Sequence, residues 1–238
     1  KGRSEYIQLS HLDECWLHIT NNCNLKCSHC LFSCSSEKTE TLSYDDIKRS
    51  VDETYQAGAK IFYLTGGEPF VHKNIEKILS MILLDYKDTS LVVMTNGINI
   101  PKHISFLQTL PKDRLYFQVS ADGTYEKHDQ TRGKGAFQAL LKGLTSLKEL
   151  NTRNTLAMAV HSENIFQMKD LIDIAKTYKM HAVHYLWLMV TGSAKSNLFV
   201  DPNIIFSNLI DASIYAKEKE IEIDNIRNMS FQVFSPAG

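Results

Sequence analysis

The chain has 238 residues, of which 43% are hydrophobic and 22% are charged. This composition is ordinary for one large globular domain with a substantial core. The formal net charge of −1 argues against nucleic acid or an anionic membrane as an electrostatic partner. No apolar run approaches the roughly 20 residues of a membrane-spanning helix, and the start shows no signal-peptide region, so we expect a cytoplasmic protein.

Apolar runs alternate with amphipathic segments along the chain. The apolar runs predict six strands, at about 16–20, 60–64, 90–95, 114–120, 153–160 and 181–190. The segments between them predict helices, because apolar residues recur on one face at helical spacing. Ser43, with Asp46 three residues later, predicts the start of the first helix. Ser162 predicts another helix start, and Asp201-Pro202 predicts the start of a last helix that ends at about 219.

This alternation predicts an α/β fold. Successive strand-then-helix units imply a parallel sheet with helices outside, as in a full or partial (β/α)6 barrel of TIM type. In that architecture the chemistry sits at the C-terminal ends of the strands. We expect residues 1–15 to lead into a core over 16–220, and residues 221–238 to begin a C-terminal extension that continues. The strand-like runs at 221–223 and 231–234 have no assigned place.

The cysteines are clustered at the start of the chain, at Cys15, Cys23, Cys27, Cys30 and Cys34. A disulfide framework would spread them out, so the clustering favours a metal site in a reducing compartment. Cys23, Cys27 and Cys30 form a CxxxCxxC pattern whose three thiolates can hold three irons of an iron–sulfur cube. With Cys34 as a fourth thiol, a closed zinc site and a four-cysteine electron-transfer cluster remain alternatives.

A second motif, Gly66-Gly67-Glu68-Pro69, directly follows the second predicted strand. Two glycines permit the close backbone approach of a ligand. Pro69 lacks an N–H group, so we expect carbonyl oxygens and the Glu68 carboxylate to face outward, toward a ligand ammonium. The alternative is an ordinary Gly-Gly turn with a surface glutamate.

Taken together, the cysteine pattern and Gly66-Gly67-Glu68-Pro69 resemble the radical S-adenosylmethionine (SAM) enzymes, in order and separation. Further motifs resemble the SPASM-type branch, which includes peptide and sulfatase maturases and haem-synthesis enzymes: Val119-Ser120-Ala121-Asp122-Gly123, His128-Asp129, Arg132-Gly133 and Thr191-Gly192-Ser193-Ala194. That branch usually has more cysteines past the barrel, whereas this sequence has none after Cys34. Auxiliary [4Fe-4S] clusters would therefore belong to a C-terminal domain that this chain does not include, or the protein lacks them.

The resemblance implies a [4Fe-4S] cluster on Cys23, Cys27 and Cys30, with SAM chelating the fourth iron. It also implies a set of SAM-binding residues. The amino group would be held by Gly66, Gly67 and Glu68 with Pro69, the carboxylate or ribose by Ser120 and Arg132, and the ribose and adenine side by Asn164, Leu188 and Met189. Asp122 either belongs to this set or only fixes its turn, and Arg132 could instead be a surface arginine. His29 would shield the cluster, and Cys34 is a candidate catalytic thiol, with a plain loop thiol as the alternative.

The resemblance further implies an activity. Such enzymes cleave SAM reductively to a 5′-deoxyadenosyl radical, which abstracts hydrogen from a substrate. We expect a peptide or protein substrate and an electron donor such as flavodoxin or ferredoxin, with no nucleic-acid or membrane partner. The alternatives are small-molecule or haem-related biosynthesis and, from another class, a non-catalytic zinc or iron–sulfur module.

Overall fold

A single parallel sheet organises the computed structural model, which describes residues 10–226. Its seven strands follow one another in sequential order, with β1 and β7 on the outside. The sheet is therefore a partial barrel with its opening between these two strands. The strands are β1 Glu14–His18, β2 Ile61–Thr65, β3 Ser90–Thr95, β4 Leu115–Ser120, β5 Arg153–Val160, β6 Ala182–Trp187 and β7 Glu222–Ile223.

Seven α-helices connect and cover the strands in the described range. They are α1 Tyr44–Gln56, α2 Ile75–Ser80, α3 Ile100–Leu107, α4 Tyr125–Arg132, α5 Ala136–Leu150, α6 Met168–Thr177 and α7 Pro202–Lys219. A π-helical turn, Met81–Asp85, extends α2, and short 3₁₀ turns lie at Pro69–Val71, Ile165–Gln167 and Ser196–Leu198. Within residues 10–226, every helix is too short or too polar to cross a membrane.

The two faces of the sheet differ in burial. In β4, Leu115, Phe117 and Val119 are buried, whereas the alternate residues Tyr116 and Gln118 are partly exposed. Successive side chains of a strand point to opposite faces, so the buried set packs under the helices. The partly exposed set forms the inner wall of the partial barrel, which leads up to the C-terminal strand ends.

Most predicted elements are confirmed. The six strands are present, and the run at 221–223 becomes β7, which pairs in parallel with β6. Ser43 and Asp201 cap α1 and α7, since their side chains accept hydrogen bonds from backbone N–H groups of the first helical turn. The run at 231–234 lies outside the described residues.

Two local predictions are wrong. Ser162 does not cap α6, because its hydroxyl donates to the carbonyl of Asn197 at 2.9 Å and a 3₁₀ turn precedes the helix. The sixth strand ends at Trp187 rather than Val190. Beyond Trp187 the chain turns over the strand ends and becomes part of the site.

Candidate active site

The cysteine loop follows β1 and lies over the C-terminal ends of the strands. Its backbone is fixed at several points. The N–H of Cys23 donates to the carbonyl of Ser35 at 3.1 Å, and the N–H of Ser28 donates to the carbonyl of Thr131 at 3.0 Å. The second bond joins the loop to α4, so the cysteines have a defined position relative to the sheet.

Cys23, Cys27 and Cys30 line a single cavity of about 310 Å³. This volume falls at the lower end of the roughly 300–1,000 Å³ range of small-molecule and cofactor sites. Residues from the ends of β2 to β6 complete the wall, so the cavity lies where a parallel β/α fold places its chemistry. From the predicted SAM-binding set, the wall includes Gly66, Gly67, Ser120, Arg132, Leu188 and Met189.

The cysteine sulfurs fit a cluster that binds thiolates. The sulfur of Cys23 accepts a hydrogen bond from the N–H of Leu25 at 3.4 Å, and that of Cys30 accepts one from the N–H of Cys34 at 3.3 Å. Such hydrogen bonds favour the thiolate over the thiol, and they shift the reduction potential of a bound iron–sulfur cluster. Burial raises the pKa of the Cys23 thiol to about 12, so cluster binding has to displace its proton.

Cys34 lies beside this group. Its side chain is 3% exposed and also lines the cavity. Burial, with the neighbouring Cys30, raises the pKa of the Cys34 thiol to about 11. Among residues 10–226, no three His, Cys, Asp or Glu side chains are arranged to hold a single metal ion. The zinc alternative therefore has no preformed site in that part of the chain.

The Gly66-Gly67 pair packs against the protein's own backbone. A β-carbon added to Gly66 would lie 2.5 Å from the carbonyl oxygen of Thr20, and one added to Gly67 would lie 2.4 Å from that of Asn22. The N–H of Gly67 donates to the Thr20 carbonyl at 2.6 Å. The close approach that we attributed to a ligand is thus made by the start of the cysteine loop. Both glycines also border the cavity, and their contact with SAM stays a prediction.

Glu68 does not face outward, so that expectation is wrong. Its side chain is 0% exposed. One carboxylate oxygen accepts from the N–H of Phe70 at 3.0 Å and the hydroxyl of Thr95 at 2.8 Å, and the other from the N–H of Asn96 at 2.7 Å. Burial raises the pKa of Glu68, and these hydrogen bonds oppose the rise. Glu68 therefore ties the end of β2 to the end of β3, beneath the cavity.

Arg132 is buried, which rules out the surface alternative. Its side chain is 9% exposed and its Nε donates to Asp122 at 2.7 Å. Burial alone would raise the pKa of Asp122, but the charge of Arg132 and the neighbouring His29 hold it well below its ordinary value. Asp122 is 0% exposed and does not line the cavity itself. Its neighbours Arg132 and His29 do line it, so Asp122 fixes their positions in the cavity wall.

Asn164 supports the loop after β5. Its amide oxygen accepts from the N–H of His161 at 2.8 Å, and its amide nitrogen donates to the carbonyl of Ala159 at 2.9 Å. The residue is 1% exposed. Both ends of the amide are therefore used by the backbone, which does not favour the ribose contact that we expected.

A family profile described as the radical SAM superfamily matches residues 17–175. The chain belongs to the radical SAM superfamily. Members of this superfamily use a [4Fe-4S] cluster and SAM, which confirms these two predicted cofactors, whereas the auxiliary clusters stay a prediction. The three cysteines and the cavity residues at the ends of β2 to β5 lie within the matched range, and the cavity residues after β5 lie beyond it.

Individual radical SAM relatives have different activities. The chain is 31% identical over 172 residues to the antilisterial bacteriocin subtilosin biosynthesis protein AlbA of Bacillus subtilis, covering 71% of this chain and 38% of AlbA. It is 29% identical over 178 residues to Fe-coproporphyrin III synthase of Methanosarcina barkeri, covering 74% of this chain and 44% of the synthase. The crystal structure of Streptococcus suis SuiB bound to precursor peptide SuiA superposes with a TM-score of 0.77 at 18% identity, covering 90% of this chain and 48% of SuiB. This chain thus spans less than half the length of each of these three proteins.

Several residues of the radical SAM site have roles that the sequence did not predict. Asp129 accepts from the N–H groups of Gly135 at 2.6 Å and Phe137 at 2.8 Å, which fixes the turn between α4 and α5. After β6, the N–H of Ser193 donates to the carbonyl of Cys30 at 2.9 Å. Gly192 allows this contact, because a β-carbon there would lie 2.2 Å from the Leu31 carbonyl oxygen. The motifs were visible in sequence, but their partners were not.

His128 makes the stability of the fold depend on pH. It is 1% exposed, its Nδ1 accepts from the N–H of Asp122 at 3.2 Å, and burial lowers its pKa from 6.5 to about 4. Between pH 6.5 and pH 4 the His128 side chain is therefore protonated in the unfolded chain but neutral in the folded chain. The folded state is stabilised fully above pH 6.5, and this stability is lost as the pH falls toward 4. We expect the free energy of unfolding to fall by about 2 kcal/mol between pH 7 and pH 5 for this reason.

Urea unfolding of the wild type and His128→Asn at both pH values measures this contribution. The asparagine oxygen can replace Nδ1 as acceptor but does not titrate. The variant should lose less stability between pH 7 and pH 5 than the wild type. Equal losses in the two proteins would show that His128 is not the group responsible.

Proposed function

We propose that the chain is the SAM-cleaving part of an enzyme that modifies a peptide or protein. The observation that carries the proposal is the convergence of Cys23, Cys27, Cys30 and Arg132 on one strand-end cavity. The three thiols would hold three irons of the cluster. The bound cluster supplies the electron for reductive cleavage of SAM and hence the power to abstract hydrogen from an unactivated C–H bond.

The remaining wall residues would hold and orient SAM. Carbonyl oxygens near Gly66 and Gly67 can accept from its ammonium group. The Ser120 hydroxyl and the Arg132 guanidinium can bind its carboxylate, since arginine pairs with carboxylates in a fixed, two-pronged geometry. The apolar wall beside them keeps water from a reactive centre, and its members include Met94, Ala157, Ala159 and Leu188.

Exposed apolar side chains at the rim of the cavity favour a large substrate. Leu31, Phe32, Leu186 and Met189 are between 42% and 66% exposed. Exposed apolar groups beside a cavity are typical of a binding surface, and the open side of the partial barrel gives an extended chain access. The bound precursor peptide in the SuiB structure supports the same substrate class. An external one-electron donor such as flavodoxin or ferredoxin would supply the reducing equivalents.

Small-molecule chemistry is the second candidate, because the similarity to Fe-coproporphyrin III synthase is nearly as high as that to AlbA. Deuterium transfer separates the two. The reconstituted protein would be given SAM, dithionite and deuterated peptides encoded beside its gene, and in parallel a deuterated tetrapyrrole precursor of Fe-coproporphyrin III. We expect deuterium in 5′-deoxyadenosine and a mass change in a peptide. Turnover of the tetrapyrrole with every peptide unchanged would overturn the proposal.

A further inference from the structure

Asp122 joins four parts of the site around one buried carboxylate. Its Oδ2 accepts from the Nε of Arg132 at 2.7 Å and lies 3.5 Å from the Nε2 of His29. Its Oδ1 accepts from the N–H of Ala159 at 3.2 Å, and its own N–H donates to His128 at 3.2 Å. The end of β4, the helix α4, the cysteine loop and the end of β5 therefore meet at this residue.

Arg132, the partner of Asp122, also lies next to Cys27, one of the three proposed cluster ligands. The Nη1 of Arg132 lies 4.0 Å from the sulfur of Cys27. The Nε of the same guanidinium is paired with the Asp122 carboxylate, and arginine keeps its positive charge at physiological pH. Charges act over longer range in a buried, low-dielectric setting than in water. A fixed positive charge and its counter-charge thus stand beside Cys27.

We infer that Asp122 is a positioning residue that aims Arg132 at Cys27 and offsets its charge, so that the pair sets the reduction potential of the cluster. The inference rests on the cluster of the proposed function, but not on its substrate. The physical reason is that reduction adds one negative charge to the cluster, and nearby charge shifts iron–sulfur potentials. The guanidinium favours the reduced state, and the carboxylate opposes it.

This role predicts shifts of opposite sign. Asp122→Asn removes the counter-charge and leaves Arg132 in place, so the potential should rise. Arg132→Gln removes the positive charge, so the potential should fall. We expect each change to alter the ratio of reduced to oxidised cluster about tenfold at fixed potential, which is about 59 mV for a one-electron couple. If Asp122 only fixed its turn, there would be no reason for the two variants to shift the reduction potential in opposite directions.

The experiment is a redox titration of the reconstituted protein without SAM, followed by the electron paramagnetic resonance signal of the reduced cluster. Asp129→Asn is the matched control, because Asp129 is a carboxylate on α4, the helix that carries Arg132, and it holds the α4–α5 turn. It should leave the potential at the wild-type value. Asp122→Asn combined with Arg132→Gln should also return toward that value, since the two charge changes offset each other.

A shift of the same sign in both single variants, or none in Arg132→Gln, would overturn the inference. If Asp122→Asn fails to fold, Arg132→Gln and Asp122→Glu still decide the matter, because the glutamate keeps the charge and should keep the potential. The potential is measured on the cluster alone. A protein that shows these shifts but modifies no peptide would contradict the proposed function and leave this inference standing.

Discussion

Replacing Cys27 by alanine is expected to abolish cluster binding, whereas replacing Cys34 is expected to preserve it. Cys23, Cys27 and Cys30 would each hold one iron, so the loss of one thiolate leaves two protein ligands for four irons. Cys34 lines the same cavity but donates its backbone N–H to the sulfur of Cys30. Alanine at position 34 retains this backbone N–H and removes only a thiol that the three-cysteine cluster does not need.

Iron and sulfide content after anaerobic reconstitution measures this difference. Cys27→Ala should fall to background, and Cys34→Ala should stay near the wild-type content. Cys15→Ala is the control for loss of a thiol in the fold, since Cys15 lies on β1 outside the loop. If Cys34→Ala loses iron as completely as Cys27→Ala, the site is a closed four-cysteine site and the open-iron assignment is wrong.

Gly67→Ala is expected to damage the same site without removing any ligand. The added β-carbon would lie 2.4 Å from the carbonyl oxygen of Asn22 and 2.9 Å from that of Asn21. Both are backbone atoms, so one of the two segments must move, and overpacking of this kind costs about 1–3 kcal/mol. The movement would also strain the bond from the Glu68 N–H to Asn22, which is 3.0 Å long.

Chemical unfolding and iron content together test this prediction. Gly135→Ala is a suitable control, because a β-carbon at Gly135 meets nothing within 4 Å, although its φ of +84° is strained for alanine. We expect Gly135→Ala to lose stability but bind a full cluster, and Gly67→Ala to lose both. Full cluster binding by Gly67→Ala would show that the cysteine loop is positioned independently of this contact.

The strands were predictable because the sheet buries one face under the helices. Leu91, Val93 and Thr95 of β3 are buried, and the residues between them are partly exposed. That alternation is visible in the sequence at the correct position. α4 was missed because its eight residues, YEKHDQTR, have no apolar stripe. It is held by polar contacts instead, such as those of Arg132 with Asp122 and Asp129 with the following turn.

The sequence predicted which residues belong to the site, but not which of them contact one another. Six residues that were singled out line the cavity: Cys23, Cys27, Cys30, Ser120, Arg132 and Leu188. The inward orientation of Glu68 could not be predicted, because its partners Thr95 and Asn96 are brought near only by the pairing of β2 with β3. A glycine pair likewise shows that something approaches closely, but not whether it is a ligand or the chain itself.

The most direct test of the assignment is SAM cleavage by the reconstituted wild-type chain under anaerobic, reducing conditions. We predict that 5′-deoxyadenosine and methionine accumulate together over time, and that Cys27→Ala forms neither. This measurement needs no knowledge of the substrate, since SAM cleavage can be followed in its absence. A wild-type protein that holds a reducible [4Fe-4S] cluster and binds SAM, yet forms no 5′-deoxyadenosine, would contradict the account.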